Sequence, residues 1–377
     1  MNFELNDEQR ALQASLARML GDRYGFEKRR TYAASAAGHD EGTWHEMGGL
    51  GLTALLVPEV HGGFGGGARD LLPVMQELGA ALSLEPFLPS SVLGTTALGL
   101  AADVATQETL LPALAAGEER LAWAHDEAAG RHAPWSIETR AEPRGEGWAL
   151  DGRKSNVLGA GLARHFVVSA RVSGRGGEPD GCALFLADSG AAGLGCRTFR
   201  LVDDTPAGEL DLRGVVARPL GDPADGAQAR AAIEGTLAMG IAAVCADMVG
   251  AMQSAFRLAM DYLNTRKQFG RLIGENQALR HRAADMLVSL ELARSMAIAA
   301  AVAVDQSQGD DARRDLHRAK LSVGRHARAL AHAAIQLHGG IGMTEEYAVG
   351  HYLRRIHVLD QLFGDGEAHA DRLAELA

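Results

Sequence analysis

Residue patterning changes twice along this chain of 377 residues, and the changes constrain the fold more than any other feature. From Leu12 to Leu20 apolar residues recur at about every third or fourth position, the spacing of one helix face. Between about 121 and 222 short apolar runs, among them His165–Val168 and Cys182–Leu186, alternate with glycine, proline and serine clusters, as strands and turns do. Stripes of small and apolar residues at helical spacing return after residue 227.

This order of helical, β and helical patterning predicts an α+β fold. We expect an N-terminal α-helical domain over residues 1–120, a middle β domain over 121–222 and a C-terminal four-helix-bundle domain over 227–377. The chain is too long for one small core, which agrees with several domains. No predicted strand is followed by a Gly-x-Gly-x-x-Gly loop, so a Rossmann-type nicotinamide enzyme is disfavoured.

Two segments allow predictions of local backbone structure. Trp148–Gly152 predicts a strand that runs into a turn, because Asp and Gly follow the apolar residues. The segment Val57–Gly67 is so rich in glycine that it predicts a loop. This loop is either a mobile wall beside a ligand or a plain connection between helices.

Composition argues against several classes of partner. The net charge is −11 and the basic residues are dispersed, which argues against a nucleic-acid partner. No stretch approaches the about 20 uninterrupted apolar residues of a membrane span, and the N-terminus is polar and acidic, unlike a secretory signal. Cys182, Cys196 and Cys245 lack metal-type or redox-type spacing. We therefore predict no metal site, and reduced, mostly buried thiols in a cytoplasmic protein.

The stretch Tyr262–Gln277 concentrates residues suited to a planar, phosphorylated ligand. Arg266 keeps its positive charge and can bind phosphate oxygens through two N–H groups at once. Gln268 offers a donor and an acceptor, Phe269 can pack on a flat ring, and Gly270 lets the backbone turn.

A second motif lies near Gln336, where a helical stripe runs into Gly339 and Gly340. A helix that ends in glycines exposes backbone groups, and the missing side chains let a ligand come close. His338 stands between these residues, and we interpret it as a spacer or packing residue rather than a catalytic group.

In this order the two motifs resemble those of the acyl-CoA dehydrogenases, whose pattern is Tyr, then Arg-x-Gln-Phe-Gly, then Ile and Gln. The resemblance covers nearly the whole chain and implies the acyl-CoA dehydrogenase fold. It also implies contacts with an FAD that is held chiefly by a neighbouring subunit. The residues concerned are Arg266, Gln268, Phe269, Gln336, Gly339 and Gly340.

The segments with which this family holds its own FAD are altered here. The family's Thr-Glu-Pro-x-x-Gly-Ser-Asp keeps only its glutamate, as Glu127; Asp126 replaces the threonine, Ala128 replaces the proline, and the Gly-Ser-Asp tail is missing. The family's Lys-x-Trp-Ile-Thr-Asn becomes Lys154–Gly159, which lacks the aromatic ring and the hydroxyl. The motifs that would reach a partner's flavin are therefore intact, whereas those for the chain's own flavin are degraded.

The general base that the resemblance implies is absent from its usual places. The family's reaction needs a carboxylate that removes the α-proton of a thioester while a hydride leaves Cβ for the flavin. The positions at which the family carries this glutamate correspond to Phe363 and Gly240 here. Asp365 is the nearest carboxylate and our candidate base. The alternative is a turn residue, because Asp beside glycine commonly bonds its own backbone.

Three functions stay open. The first is a homodimeric or homotetrameric FAD-dependent acyl-CoA dehydrogenase of fatty-acid β-oxidation, which desaturates an acyl-CoA thioester and passes electrons to an electron-transfer flavoprotein. The second is the non-catalytic, FAD-contacting small subunit of a heteromeric acyl-CoA dehydrogenase. The overall sequence is most similar to the small subunits of pimeloyl-CoA-type and steroid side-chain dehydrogenases. The third is a flavin oxidase of the same fold.

Overall fold

The computed structural model describes residues 4–145, 147–306 and 309–377. Its contacts divide the chain into two compact units, each assembled from separate stretches. We call the first, Met1–Arg30 with Ala68–Ser83 and Ile241–Ala377, the helical unit. The second, Thr31–Gly67 with Leu84–Gly240, contains the large sheet and is called the sheet unit.

The helices follow one another along the chain as α1 Asp7–Arg23, α2 Phe26–Ala34, α3 Glu41–Gly49, α4 Ala68–Ala81, α5 Thr95–Ala101, α6 Val104–Ala115, α7 Gly226–Thr265, α8 Gln277–Gln306, α9 Gly309–His338, α10 Ala348–Gln361 and α11 Gly366–Glu375. A π-helical segment spans Phe87–Gly94. Short 3-10 turns occupy Leu52–Ala54, Glu59–His61, Ile273–Glu275 and Gly339–Met343.

The strands are β1 Leu121–Ala124, β2 Arg140–Arg144, β3 Gly147–Leu158, β4 His165–Arg171, β5 Cys182–Asp188, β6 Leu194–Arg200, β7 Pro206–Leu220, β8 Lys267–Gln268 and β9 Arg271–Leu272. Strands β1 to β7 form one sheet, and β8 with β9 forms a hairpin in the helical unit. Helices and a mainly antiparallel sheet thus occupy separate stretches of sequence, which confirms the predicted α+β class.

The large sheet closes on itself as a barrel. Its pairings run from β4 to β2, β3, β7 and β5, and β5 returns to β4. The interior is filled by alternate side chains of these strands, including Leu150, Phe166, Phe185, Leu210 and Val215. Closure leaves few free edges, because each strand of the ring has a neighbour on both sides.

The predicted turn at Trp148–Gly152 is wrong, because β3 continues through it to Leu158. The pairing of β3 with β7 shifts register between Leu150 and Gly152, so the glycine marks a β-bulge. A Cβ at Gly152 would lie 2.7 Å from the Cα of Thr139, so the neighbouring backbone comes too close for a side chain.

Small residues let the helices of the helical unit approach closely. A Cβ at Gly250 on α7 would lie 1.8 Å from the carbonyl oxygen of Gln76 on α4. A Cβ at Gly79 on α4 would likewise lie 2.1 Å from the carbonyl oxygen of Asp247 on α7. At the start of α1, Asn6 forms the N-cap, and its side chain accepts from Gln9 N.

The loop Val57–Gly67 is fixed by its own backbone. Phe64 N donates to Ala54 O at 3.1 Å, and Gly65 N donates to Val57 O at 2.8 Å. Glu59–His61 form a 3-10 turn within it. Its connecting or ligand-facing role stays a prediction.

Helices α7 and α8 are long and apolar enough to cross a membrane, judged by length and composition alone. The most apolar window of α7 is 78% buried inside the protein and that of α8 is 33% buried. Buried core helices of soluble proteins meet the same criterion. The expected absence of a membrane partner therefore stays a prediction, as do the three domain boundaries.

Candidate cofactor-contact site

The hairpin of β8 and β9 presents a fully exposed aromatic ring. Its two turn residues, Phe269 and Gly270, both have left-handed backbones, with φ of 52° and 79°. This pair of angles is the one that a tight two-residue hairpin requires. A non-glycine residue held there costs about 1–3 kcal/mol. The ring of Phe269 is nevertheless 101% exposed, so packing within this chain does not explain its place.

Arg266 lies between the end of α7 and this hairpin. Its backbone N donates to Tyr262 O at 2.9 Å, and its carbonyl accepts from Ile273 N at 2.9 Å. Within the described part of the chain its exposed guanidinium makes no hydrogen bond or ion pair. The nearby Arg271, by contrast, donates to Asn276 Oδ1 at 2.6 Å. Arg266 thus offers a fixed backbone and a guanidinium that is available to an anion.

The end of α9 is open to a ligand, as the second motif predicted. Helix α9 ends at His338, and Gly339 follows with a left-handed φ of 64°. Gln336, Gly339 and Gly340 are exposed, and a Cβ on either glycine would meet no atom within 4 Å. Backbone groups here are approachable without obstruction by side chains.

The structure brings the two motifs together through aromatic rings. The ring centroids of Tyr262 and His338 lie 4.6 Å apart, and those of His338 and Tyr347 lie 4.9 Å apart. Tyr262 is one helical turn before Arg266, and His338 is bonded directly to Gly339. The sequence contained both motifs but gave no signal for this contact.

In the sheet unit, Glu127 is engaged by neighbours rather than open to a ligand. Its Oε1 accepts from Lys154 Nζ at 2.7 Å and from Thr139 N at 3.0 Å, and its Oε2 accepts from Glu138 N at 2.8 Å. Burial raises the pKa of the neighbouring Asp126 to about 6, although the charge of Lys154 lowers it in part. Sequence reasoning missed Lys154 as a fully buried cation; its signal was its place inside an otherwise strand-like run.

The segment in which we sought a base forms a fixed turn. Phe363 has a left-handed φ of 63°, and Lys320 Nζ donates to Gly364 O at 2.9 Å and to Asp360 O at 2.7 Å. Asp365 caps α11, and its Oδ1 accepts from Ala368 N at 2.9 Å. The turn-forming alternative for Asp365 thus has a direct structural counterpart, while its assignment as base stays a prediction. Gly240 lies within α7.

FAD has a pyrophosphate, an adenosine and a flat ring system, and the exposed residues of the helical unit fit such a group. The exposed guanidinium of Arg266 suits the pyrophosphate, the open Gly339 and Gly340 leave room for backbone approach, and Phe269 offers an unpacked ring. The sheet unit fits less well, because Leu158, where the family has its threonine, offers no hydroxyl.

Comparison with known proteins gives the family. The model of the acyl-CoA dehydrogenase N-terminal domain matches residues 6–118, and that of the C-terminal domain matches residues 230–377, together more than half of the chain. The L-prolyl-[peptidyl-carrier protein] dehydrogenase of Pseudomonas fluorescens is 29% identical over 94% of this chain and 93% of its own. The probable acyl-CoA dehydrogenase YngJ of Bacillus subtilis is 28% identical over 99% of this chain and 98% of its own.

Comparison with solved structures supports the same family. A Tcur3481–Tcur3483 steroid ACAD variant superposes with a TM-score of 0.88 at 30% identity and covers 98% of this chain and 97% of its own. The ChsE4–ChsE5 complex from Mycobacterium tuberculosis also has a TM-score of 0.88, at 22% identity, with coverage of 100% and 98%, and shows the shared fold. The chain therefore belongs to the acyl-CoA dehydrogenase family of flavoproteins, FAD-dependent oxidoreductases that act on CH–CH bonds.

Proposed function

We propose that this chain works within an FAD-containing oligomer that introduces an α,β double bond into an acyl-CoA thioester. In this assembly it is the subunit that supports a flavin held chiefly by a paralogous partner. Electrons then pass to an electron-transfer flavoprotein. The carboxylate that removes the α-proton comes from the partner.

The proposal rests chiefly on the exposed guanidinium of Arg266, which has no partner among the residues that the structure describes, and on the exposed Phe269 nearby in sequence. Phe269 lies in the turn of the hairpin and Arg266 directly precedes its first strand. Leaving a strained aromatic in solvent has no benefit for an isolated chain. A phosphate-bearing ligand on a second subunit accounts for both. The steroid ACAD relative at 30% identity, whose name joins Tcur3481 and Tcur3483, adds support for a heteromer.

Each residue has a separate task in this proposal. Arg266 binds the pyrophosphate of the partner's FAD, Gln268 hydrogen-bonds it, and Phe269 packs on the cofactor and keeps water away. Gln336 and the backbone of Gly339–Gly340 receive the adenosine side. When bound, the flavin supplies the acceptor for the hydride that leaves Cβ of the thioester.

The test is the flavin content of the chain, purified alone and after co-expression with a paralogue that has the complete Thr-Glu-Pro and glutamate motifs. We expect no stoichiometric FAD in the chain alone, and FAD that bleaches under anaerobic addition of thioesters in the co-expressed assembly. Straight-chain and steroid CoA thioesters, and a prolyl thioester of a carrier protein, serve as probes, and the last two follow the names of two relatives. Stoichiometric FAD that bleaches in the chain alone would instead establish a self-sufficient homomer.

Two variants test the role of Arg266 within the co-expressed assembly. Arg266→Ala should weaken FAD binding about 10- to 100-fold, the range expected for a charge-assisted hydrogen-bond pair of about 1.5–3 kcal/mol. Lys267→Ala is the matched control, because it removes the same charge from the adjacent exposed position of β8. Equal losses in both variants would mean a general electrostatic effect and would contradict the assignment. Rapid reaction of the reduced flavin with oxygen would favour the oxidase alternative.

A further inference from the structure

The imidazole of His338 lies between two tyrosine rings that belong to different segments. Its centroid is 4.6 Å from that of Tyr262, at the end of α7, and 4.9 Å from that of Tyr347, just before α10. His338 is only 3% exposed. Its Nδ1 lies 2.7 Å from Ala334 O, which fixes the ring orientation one turn back along α9.

The contact between Tyr262 and His338 has a motif of the candidate cofactor-contact site next to each of its two residues. The carbonyl of Tyr262 accepts from Arg266 N at 2.9 Å, so movement of Tyr262 would move the start of the hairpin. His338 is followed directly by Gly339, whose left-handed backbone ends the helix. The ring of His338 therefore connects the helix end that precedes Arg266 with the turn at Gly339.

The ring is also held in its neutral form, so it packs as an aromatic group. Burial lowers the pKa of His338, and the carbonyls of Ala334 and Leu258 offset this only in part. A neutral imidazole can stack between tyrosines without the desolvation penalty of a buried cation.

We propose that His338 is a positioning residue that sets the spacing between the Arg266 hairpin and the Gly339–Gly340 turn, and thereby the affinity for FAD. The inference rests on the proposed function, because it needs both motifs to contact one FAD. His338 itself touches no cofactor in this proposal. It acts through Tyr262 on one side and Gly339 on the other.

The experiment is a double-mutant cycle in the co-expressed, FAD-containing assembly, with the dissociation constant of FAD as the readout. His338→Ala should weaken FAD binding about tenfold, since the ring contacts that fix the motifs are lost. In the Arg266→Ala background the same change should have an effect of less than about threefold, because the two residues act on one contact. A ring that only stabilises the fold gives equal losses in both backgrounds, which would overturn the proposal.

Two further variants complete the test. His338→Phe keeps the ring contacts, so it should retain FAD affinity within about threefold even where the thermal midpoint falls. If His338→Ala does not fold, His338→Phe is the variant that tests the proposal. A tenfold loss of FAD affinity in His338→Phe would overturn it. His332→Ala is the control on the same helix: its exposed ring contacts His357, and FAD affinity should not change.

The cycle separates this proposal from the function on which it rests. If Arg266→Ala leaves FAD affinity unchanged, the proposed function and the role of His338 both fail. If Arg266→Ala weakens binding and His338→Ala in the native background does not, only the role of His338 fails.

Discussion

The ammonium of Lys154 lies 2.7 Å from the carboxylate of Glu127, with both side chains almost completely buried in the sheet unit. Lys154 Nζ also donates to His125 O at 3.1 Å and to Ser169 Oγ at 3.2 Å. Burial lowers the pKa of Lys154, while Glu127 opposes that shift. Burial would raise the pKa of Glu127, but the charge and hydrogen bond of Lys154, together with the hydrogen bonds from Thr139 and Glu138, outweigh it and lower the pKa. The two groups thus form a buried ion pair in which each favours the charged form of the other.

Glu127→Gln should destabilise the protein by about 3–5 kcal/mol, because it leaves a buried ammonium without its counter-charge. Urea unfolding followed by circular dichroism measures the loss. The double variant Glu127→Gln with Lys154→Met is the control, since it removes both charges and should recover part of the stability. A double variant less stable than Glu127→Gln alone would show that the lysine contributes chiefly through its other bonds.

This pair explains why Glu127 persists when its motif does not. In the sequence, Glu127 is the only residue kept from the family's Thr-Glu-Pro-x-x-Gly-Ser-Asp motif. The structure gives it a local task, because it binds Lys154 and the N–H groups of Glu138 and Thr139. That task depends on strand pairing, which a linear motif does not contain.

Some other features of the structure could be predicted from the sequence, and others could not. Gly339 could be predicted as a helix end, because glycine commonly occupies the left-handed position that follows the last turn of a helix. The bulge at Gly152 could not be predicted, because an Asp-Gly pair also occurs in turns. Only the register of β3 against β7 distinguishes a bulge from a turn here. The contact of Tyr262 with His338 was equally hidden, because it depends on how the ends of α7 and α9 meet.

Asp126 should make stability fall as pH rises through the weakly acidic range. Burial raises its pKa to about 6 from 3.8, so the folded state binds a proton that the unfolded state has already released. This contribution is complete below about pH 4 and is lost as pH rises past about 6. From pH 5 to pH 7 the free energy of unfolding of the native protein should fall by about 1 kcal/mol because of Asp126. The Asp126→Asn variant should not show this fall.

Denaturant unfolding at both pH values tests the Asp126 prediction. Asp371→Asn, at an exposed position of α11, is the control and should follow the native protein. If Asp126→Asn and the native protein change in parallel from pH 5 to pH 7, the carboxyl of Asp126 does not titrate in this range.

Gly250→Ala should destabilise the helical unit by about 1–3 kcal/mol or more, because its methyl group would overlap the carbonyl of Gln76 and force α7 away from α4. Gly21→Ala is the matched control on α1, where a Cβ would meet no atom within 4 Å. It should stabilise by about 0.5–1 kcal/mol, since alanine is the better helix former. Thermal unfolding of both variants measures the difference, and a neutral Gly250→Ala would mean that these helices can separate freely.

Asp365→Asn separates the two roles that the sequence left open for this residue. Asparagine caps a helix about as well as aspartate, and here it can still accept from Ala368 N, so stability should stay within about 0.5 kcal/mol. An amide cannot take up a proton, so a base at this position would lose nearly all its activity. We expect unchanged desaturation by the co-expressed assembly, measured as anaerobic flavin bleaching.

Asp365→Ala is the control for the cap and should cost about 1 kcal/mol of stability. Loss of bleaching in Asp365→Asn, with its thermal midpoint intact, would make Asp365 the base and this chain a catalytic subunit.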